Sequence, residues 1–154
     1  MSAPPVEVLL AEDNSADAEL IMHSLGEDFV ERIHHVHDGE EALEFLLCRG
    51  SYAHRSFDAP PRLVVLDIKL PKVSGLEVLQ QIKRDPRTRA IPTVLLTSSR
   101  MEADVAQGYL LGVNSYVQKP VQFDRFRQVV RQLGLYWLAV NEPAPSRAFN
   151  GKSR

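Results

Sequence analysis

The sequence predicts an α/β fold: an open, mostly parallel sheet with helices on both faces. Three observations carry this. Short apolar runs alternate with helix-period stretches five times along the chain. The runs at 6–11, 62–67 and 91–97 are almost continuously Val, Ile and Leu, as strands covered on both faces must be. Gly, Pro, Asn, Asp or Ser residues punctuate the junctions.

Taken in order, Val6–Ala11 reads as a buried strand. Asn14 or Ser15 then caps a helix whose apolar positions Ala18, Ile21, Met22 and Leu25 follow the i, i+3, i+4, i+7 spacing. Residues 31–37 form a more polar strand, and Asp38-Gly39 turns into a helix carrying Ala42, Leu43, Phe45, Leu46 and Leu47. Residues 49–61, with Pro60-Pro61, read as a loop. The third strand, 62–67, is followed by a helix opened by Ser74-Gly75, with Leu76, Val78, Leu79 and Ile82 on its apolar side. Ile91–Thr97 is the fourth strand, with Pro92 at its start, where a missing N–H is tolerated. A helix over 102–111 ends at Gly112, a fifth strand spans 114–118, and a last helix runs from Gln122 to Ala139. Phe123, Phe126, Val130, Leu133 and Trp137 make one stripe on that helix. The division expected is an N-terminal extension (1–5), one domain (6–140) and a Pro, Ser and Gly-rich tail (141–154) without order.

The bulk composition excludes several classes. A chain of 154 residues, 44% hydrophobic and 25% charged, suits one globular core. No apolar run approaches the roughly 20 residues of a membrane helix, and residues 1–5 have no charged or apolar leader pattern, so a cytoplasmic location is expected. Cys48 is the sole cysteine, consistent with a reducing compartment. A net charge of −2 does not call for nucleic acid. Acid is concentrated at the start: residues 1–31 hold eight Asp or Glu and no Lys or Arg. Most of these belong to solvated faces.

Ligands of such sheets bind at the carboxyl ends of the strands. Glu12-Asp13 follow strand one, Asp67 strand three, Thr97-Ser98-Ser99 strand four and Lys119-Pro120 strand five. Three carboxylates, a hydroxyl and an ammonium therefore share one rim. Close carboxylates repel unless a cation sits among them, and oxygen ligands suit Mg²⁺. An Asp can also be the nucleophile of phosphoryl transfer. Lys119 and the metal would offset charge on the phosphoryl group, and Thr97 could hydrogen-bond to it.

The pieces LLAEDN (9–14), DGEEAL (38–43), LDIKLPKVSG (66–75), PTVLLTSS (92–99) and SYVQKPV (115–121), with Thr97 30 residues and Lys119 52 residues after Asp67, resemble the response-regulator receiver domain of two-component signalling. The resemblance spans 6–139 and implies a flavodoxin-like, doubly wound (βα)5 fold with strand order 2-1-3-4-5. It implies Asp67 as phosphoacceptor; Glu12, Asp13, Asp67 and the backbone carbonyl of Lys69 as Mg²⁺ ligands; Thr97 and Tyr116 as switch residues; Lys119 as the phosphate-pairing lysine; and a cis Lys119–Pro120 bond. Glu12 stands where many members have Asp. Lys69 and Ser99 hold positions that tune phosphoryl lifetime. AEDNSADAELI, the loop around SYAHRSFDAPPR, LTSSRMEADV and the terminal LYWL are similar to the single-domain regulators paired with bacterial phytochrome kinases. That narrower likeness implies a sensor histidine kinase, a bacteriophytochrome, as partner. It also implies a homodimer across helix 4, strand 5 and helix 5, to which Phe123, Phe126, Leu133, Tyr136 and Trp137 contribute apolar surface. About 14 residues follow the last helix, so no output domain is expected and the output is expected to be a protein contact.

Rival readings are an Asp-nucleophile phosphatase of the dehalogenase type and a receiver-like module that is never phosphorylated. The first needs an acid two residues after the nucleophile, where this chain has Lys69. The second leaves the five intact site residues without a purpose. A solvated edge strand accounts for His35 and His37 better than a metal site, and helix packing accounts for Cys48.

Overall fold

A computed structural model describes residues 5–149. The extension 1–5, except Pro5, and residues 150–154 lie outside the described residues. The strands are β1 (Val8–Ala11), β2 (Ile33–Val36), β3 (Leu63–Leu66), β4 (Thr93–Thr97) and β5 (Ser115–Gln118). The helices are α1 (Ser15–Leu25), α2 (Gly39–Leu46), α3 (Gly75–Arg84), α4 (Glu102–Leu110) and α5 (Phe123–Gly134). All strand pairs are parallel and the order is β2-β1-β3-β4-β5, as expected.

The period-2 alternation of the strands sorts their side chains into two cores. Leu9 and Ala11, Val64 and Leu66, and Leu95 face α2 and α3, where Phe45, Val78 and Ile82 meet them. Val8 and Leu10, Leu63 and Val65, and Val94 and Leu96 face α1 and α5. Three helix starts are capped by the residue type the sequence offered. Asn14, Asp38 and Ser74 accept hydrogen bonds from the amides of Asp17, Glu41 and Glu77.

Two expectations for the C-terminal region are corrected. The last helix is not one uniform rod to Ala139. After Gly134 it widens into a π-helical stretch, Leu135–Val140. Gly134 lies in the α1–α5 seam, where a Cβ would come within 2.8 Å of Leu25 Cδ2. Nor is the segment after Asn141 without order over its described part. Ser146–Phe149 form a 3₁₀ turn, and Phe149, only 4% exposed, joins the α2–α3 core with Ala144 and Ala148 beside it. The Pro- and Ser-rich composition gave no sign of this, because one aromatic ring suffices. Fully burying a Phe is worth about 1.5–3 kcal/mol.

Candidate functional site

The carboxyl rim of the sheet gathers most of the residues singled out above. Asp67 follows β3 directly, and its amide donates to the Ala11 carbonyl, so the β1–β3 ladder fixes its backbone. Gly75, the first residue of α3, packs against that same backbone. Its amide donates to the Ile68 carbonyl at 2.8 Å, and a Cβ there would sit 2.0 Å from the Asp67 carbonyl oxygen. The Lys69 amide approaches Asp67 Oδ1 at 3.4 Å.

The centre of the site is Lys119. It follows β5, its amide bonds the Thr97 carbonyl, and its side chain is 8% exposed. Its Nζ donates to Asp67 Oδ2 at 2.7 Å, Glu12 Oε1 at 2.6 Å and Asp17 Oδ2 at 2.9 Å. An ammonium has three N–H donors, so this tripod uses all of them. Burial opposes the charge on Lys119, but the hydrogen bonds to Asp67, Glu12 and Asp17 outweigh it and hold the amine above the ordinary lysine range. Burial pushes the Glu12 carboxyl up, to about 7, against the lowering influence of Lys119. Lys119 therefore stays charged, and the proton taken up as the pH falls goes to Glu12. The second oxygen of Glu12 accepts from the Asn14 amide at 3.1 Å. The backbone carbonyl of Glu12 accepts from His35 Nε2 at 2.8 Å, so that ring nitrogen is the donor.

Asp17 was missed by the sequence reading, which placed it among the solvated charges of α1. The third helix residue faces the rim because Asn14 caps α1 through the Asp17 amide. Asp13, by contrast, is exposed. Among the described residues no three His, Cys, Asp or Glu side chains form a ready metal cage; three carboxylates converge on the Lys119 ammonium instead. The cluster is net anionic and all-oxygen, a donor chemistry that suits a small hard cation.

Thr97 is fully buried at the end of β4, and its Oγ1 accepts from the Ser99 amide at 3.4 Å. Tyr116 is half-buried beneath α4. Its ring lies 3.4 Å from where a Cβ on Gly108 would stand, and its hydroxyl donates to the Ser99 carbonyl at 3.1 Å. Ser99 Oγ in turn donates to Asp104 at 2.6 Å, tying the β4–α4 loop to the first turn of α4.

Two further expectations are corrected here. No described peptide bond is cis, so Lys119–Pro120 is trans. The trans form is favoured by about 0.5–1 kcal/mol at X–Pro bonds, and Lys119 reaches all three carboxylates with it. Phe126 cannot present surface to a partner: at 5% exposure it belongs to the α1–α5 core with Val130. Of the stripe on α5, Phe126 and Val130 point inward. Phe123 (57% exposed) and Tyr136 (50%) do face outward, and Leu133 and Trp137 line a groove of about 410 Å³ beside β5.

Comparison with known proteins agrees with this geometry. Residues 8–131 match the model of the response regulator receiver domain. The chain is 44% identical over 144 residues to the probable methanogenesis regulatory protein FilR2 of Methanothrix harundinacea, covering 92% of this chain and 90% of that protein. The phosphorylated cyanobacterial phytochrome response regulator RcpA superposes with a TM-score of 0.84 at 37% identity, over 91% of this chain and 99% of that one. The Mn²⁺-bound form of response regulator Rcp1 superposes with a TM-score of 0.83 at 34% identity, over 92% and 99%. Rcp1 of Synechocystis is also 36% identical over 138 residues, 89% of this chain and 92% of that protein.

Proposed function

Because the chain belongs to the response regulator receiver family, whose members are phosphoacceptors, we propose that Asp67 accepts a phosphoryl group from a sensor histidine kinase and thereby switches a protein-binding face. The observation that carries this is the 2.7 Å contact between Lys119 Nζ and Asp67 Oδ2, which joins the ends of β3 and β5 across 52 residues. An Asp67 oxygen attacks phosphorus, the P–N bond of the phosphohistidine breaks and imidazole departs. Lys119 is already charged and placed to balance the developing oxygen charge. Thr97 ends the neighbouring strand, and its hydroxyl accepts from the Ser99 amide in the loop that follows.

Glu12, Asp13 and Asp67, with the Lys69 carbonyl, are the groups that would hold Mg²⁺. When bound, the ion supplies positive charge beside the transferring phosphoryl oxygens. Support comes from the carboxylate oxygens of Glu12 and Asp67, which meet at the rim, and Rcp1 is known in a Mn²⁺-bound form.

In this reading the output is conformational. Thr97 moves toward the phosphoryl group and Tyr116 exchanges its Ser99 contact, shifting a pre-existing equilibrium of the α4–β5–α5 face. That face is also the homodimer surface, through Phe123, Leu133, Tyr136 and Trp137. The partner kinase is of the phytochrome type, supported by the likeness to RcpA. Because FilR2, a probable methanogenesis regulatory protein, is about as similar to this chain as the bacteriophytochrome regulators are, direct phosphotransfer from a phytochrome kinase is the deciding assay. The chain turns over no substrate, binds no nucleic acid and works in the cytoplasm. Among the described residues no helix is long and apolar enough to cross a membrane.

The test is incorporation of phosphate from acetyl phosphate with Mg²⁺. The wild-type chain becomes labelled and Asp67→Asn does not. Equal labelling of Asp67→Asn, or multiple turnover on small phosphate esters, overturns the assignment.

A further inference from the structure

We propose that Asp17 is a positioning residue that competes with the phosphoryl group for Lys119. The inference rests on the reading of Asp67 as phosphoacceptor and goes beyond it, to a residue outside the motif that identifies the site.

The ammonium of Lys119 has three hydrogens and three carboxylate partners. On phosphorylation one phosphoryl oxygen takes the place of Asp67 Oδ2, and a second can pair with Lys119 only if Glu12 or Asp17 is released. The three partners are not equivalent. The side chains of Glu12 and Asp67 are 3% and 10% exposed, whereas that of Asp17 is 31% exposed, and its contact, 2.9 Å, is the longest of the three. Releasing Glu12 leaves a buried carboxyl, ionised or protonated, without its partner; releasing Asp17, which water already reaches, costs least. Asp17 is therefore the exchangeable ligand. It holds the amine in line while Asp67 is a carboxylate and yields its place when Asp67 carries a phosphoryl group. Because Asp17 stands in the first turn of α1, the exchange also reports the state of Asp67 to that helix.

The proposal predicts the sign of a substitution. A residue needed only to keep the site folded would, when lost, weaken phosphoryl binding. A competitor, when lost, strengthens it. The probe is beryllofluoride with Mg²⁺, a tetrahedral phosphoryl mimic, titrated into the full chain and followed by amide chemical shifts. Asp17→Asn is expected to bind it at least threefold more tightly than wild type. Asp17→Glu, which restores the carboxylate, returns toward the wild-type value. Glu19→Gln removes one negative charge from the same helix without touching Lys119, its side chain being 74% exposed, and changes affinity less than twofold. A second readout needs neither metal nor probe: the Lys119 ammonium protons exchange with water faster in Asp17→Asn than in wild type.

Unchanged or weaker binding by Asp17→Asn overturns the proposal, and so does equal tightening by Glu19→Gln, which would make the effect one of net charge. Asp67→Asn separates the two levels of inference. If it binds the probe like wild type, the phosphoacceptor reading fails. If it does not, that reading stands and the Asp17 result speaks for itself.

Discussion

Gly75→Ala tests whether the close seat of α3 on the Asp67 backbone matters to both fold and chemistry. The added Cβ would lie 2.0 Å from the Asp67 carbonyl oxygen, 2.8 Å from its carbon and 2.9 Å from Ile68 Cα. All three are backbone atoms just past β3, anchored by the Asp67 amide on the Ala11 carbonyl, so no side chain can swing aside. Relief to ordinary contact needs a shift of more than about 1 Å, either in the start of α3 or in Asp67 itself. Overpacking of this kind costs about 1–3 kcal/mol. Loss of the bond from the Gly75 amide to the Ile68 carbonyl adds about 1 kcal/mol. The expected loss of stability is therefore about 2–4 kcal/mol, read by urea unfolding, or roughly 5–15 °C in Tm. Misplacing the nucleophile by about 1 Å should also slow labelling by acetyl phosphate, by roughly tenfold to a hundredfold. Gly108→Ala is the control: its Cβ would meet only side chains, the Leu95 Cδ1 methyl at 3.0 Å and the Tyr116 Cδ2 ring carbon at 3.4 Å, and the methyl can give. There the expected change is within about 1 kcal/mol, helped by the helix propensity of Ala. If Gly75→Ala unfolds within about 0.5 kcal/mol of wild type, the seat of α3 is not the constraint described.

Three other outcomes follow from the same geometry. The folded chain holds a proton on Glu12 up to about pH 7, whereas the unfolded chain loses it near 4.5. Without added metal, stability should thus be greatest below about pH 4.5 as far as this group contributes, and fall by up to about 3 kcal/mol as the pH rises to 7; Glu12→Gln should flatten that slope in denaturant titrations at several pH values. Phe149→Ala should cost about 2–3 kcal/mol by the same measurement. A tail without order would make that substitution silent. For the dimer, Tyr136→Ala should shift light-scattering mass toward the monomer at micromolar concentration, while Phe126→Ala should act through stability, lowering it by about 3 kcal/mol.

The architecture was legible because each strand's pattern encodes how many faces it buries: β1, β3 and β4 are buried throughout, and edge strands β2 and β5 are not. Glu12, Asp67, Thr97 and Lys119 were legible for a related reason, since chain position just past a parallel strand fixes a place on the rim. What escaped depended on contacts that periodicity does not carry. Asp17 is one of eight early acids, and only the cap at Asn14 and the reach of Lys119 single it out. Phe126 and Phe123 share one helix three residues apart, yet one is core and the other surface, a distinction set by where α5 lies on the sheet. Phe149 shows the converse, a single apolar residue overriding the composition around it. The trans Lys119–Pro120 bond was expected to be cis from the resemblance alone, and no feature of the residues themselves required it.

The most direct test of the central claim is chemical mapping of the acyl phosphate. The chain is phosphorylated with Mg²⁺ and a phosphodonor, reduced with borohydride, digested and sequenced by mass spectrometry. Reduction of an aspartyl phosphate leaves homoserine and that of a glutamyl phosphate leaves hydroxynorvaline; homoserine is expected at position 67, with neither product at Glu12, Asp13 or Asp17. Homoserine at another Asp, hydroxynorvaline at a Glu, or neither product while label is retained, would contradict the assignment of Asp67.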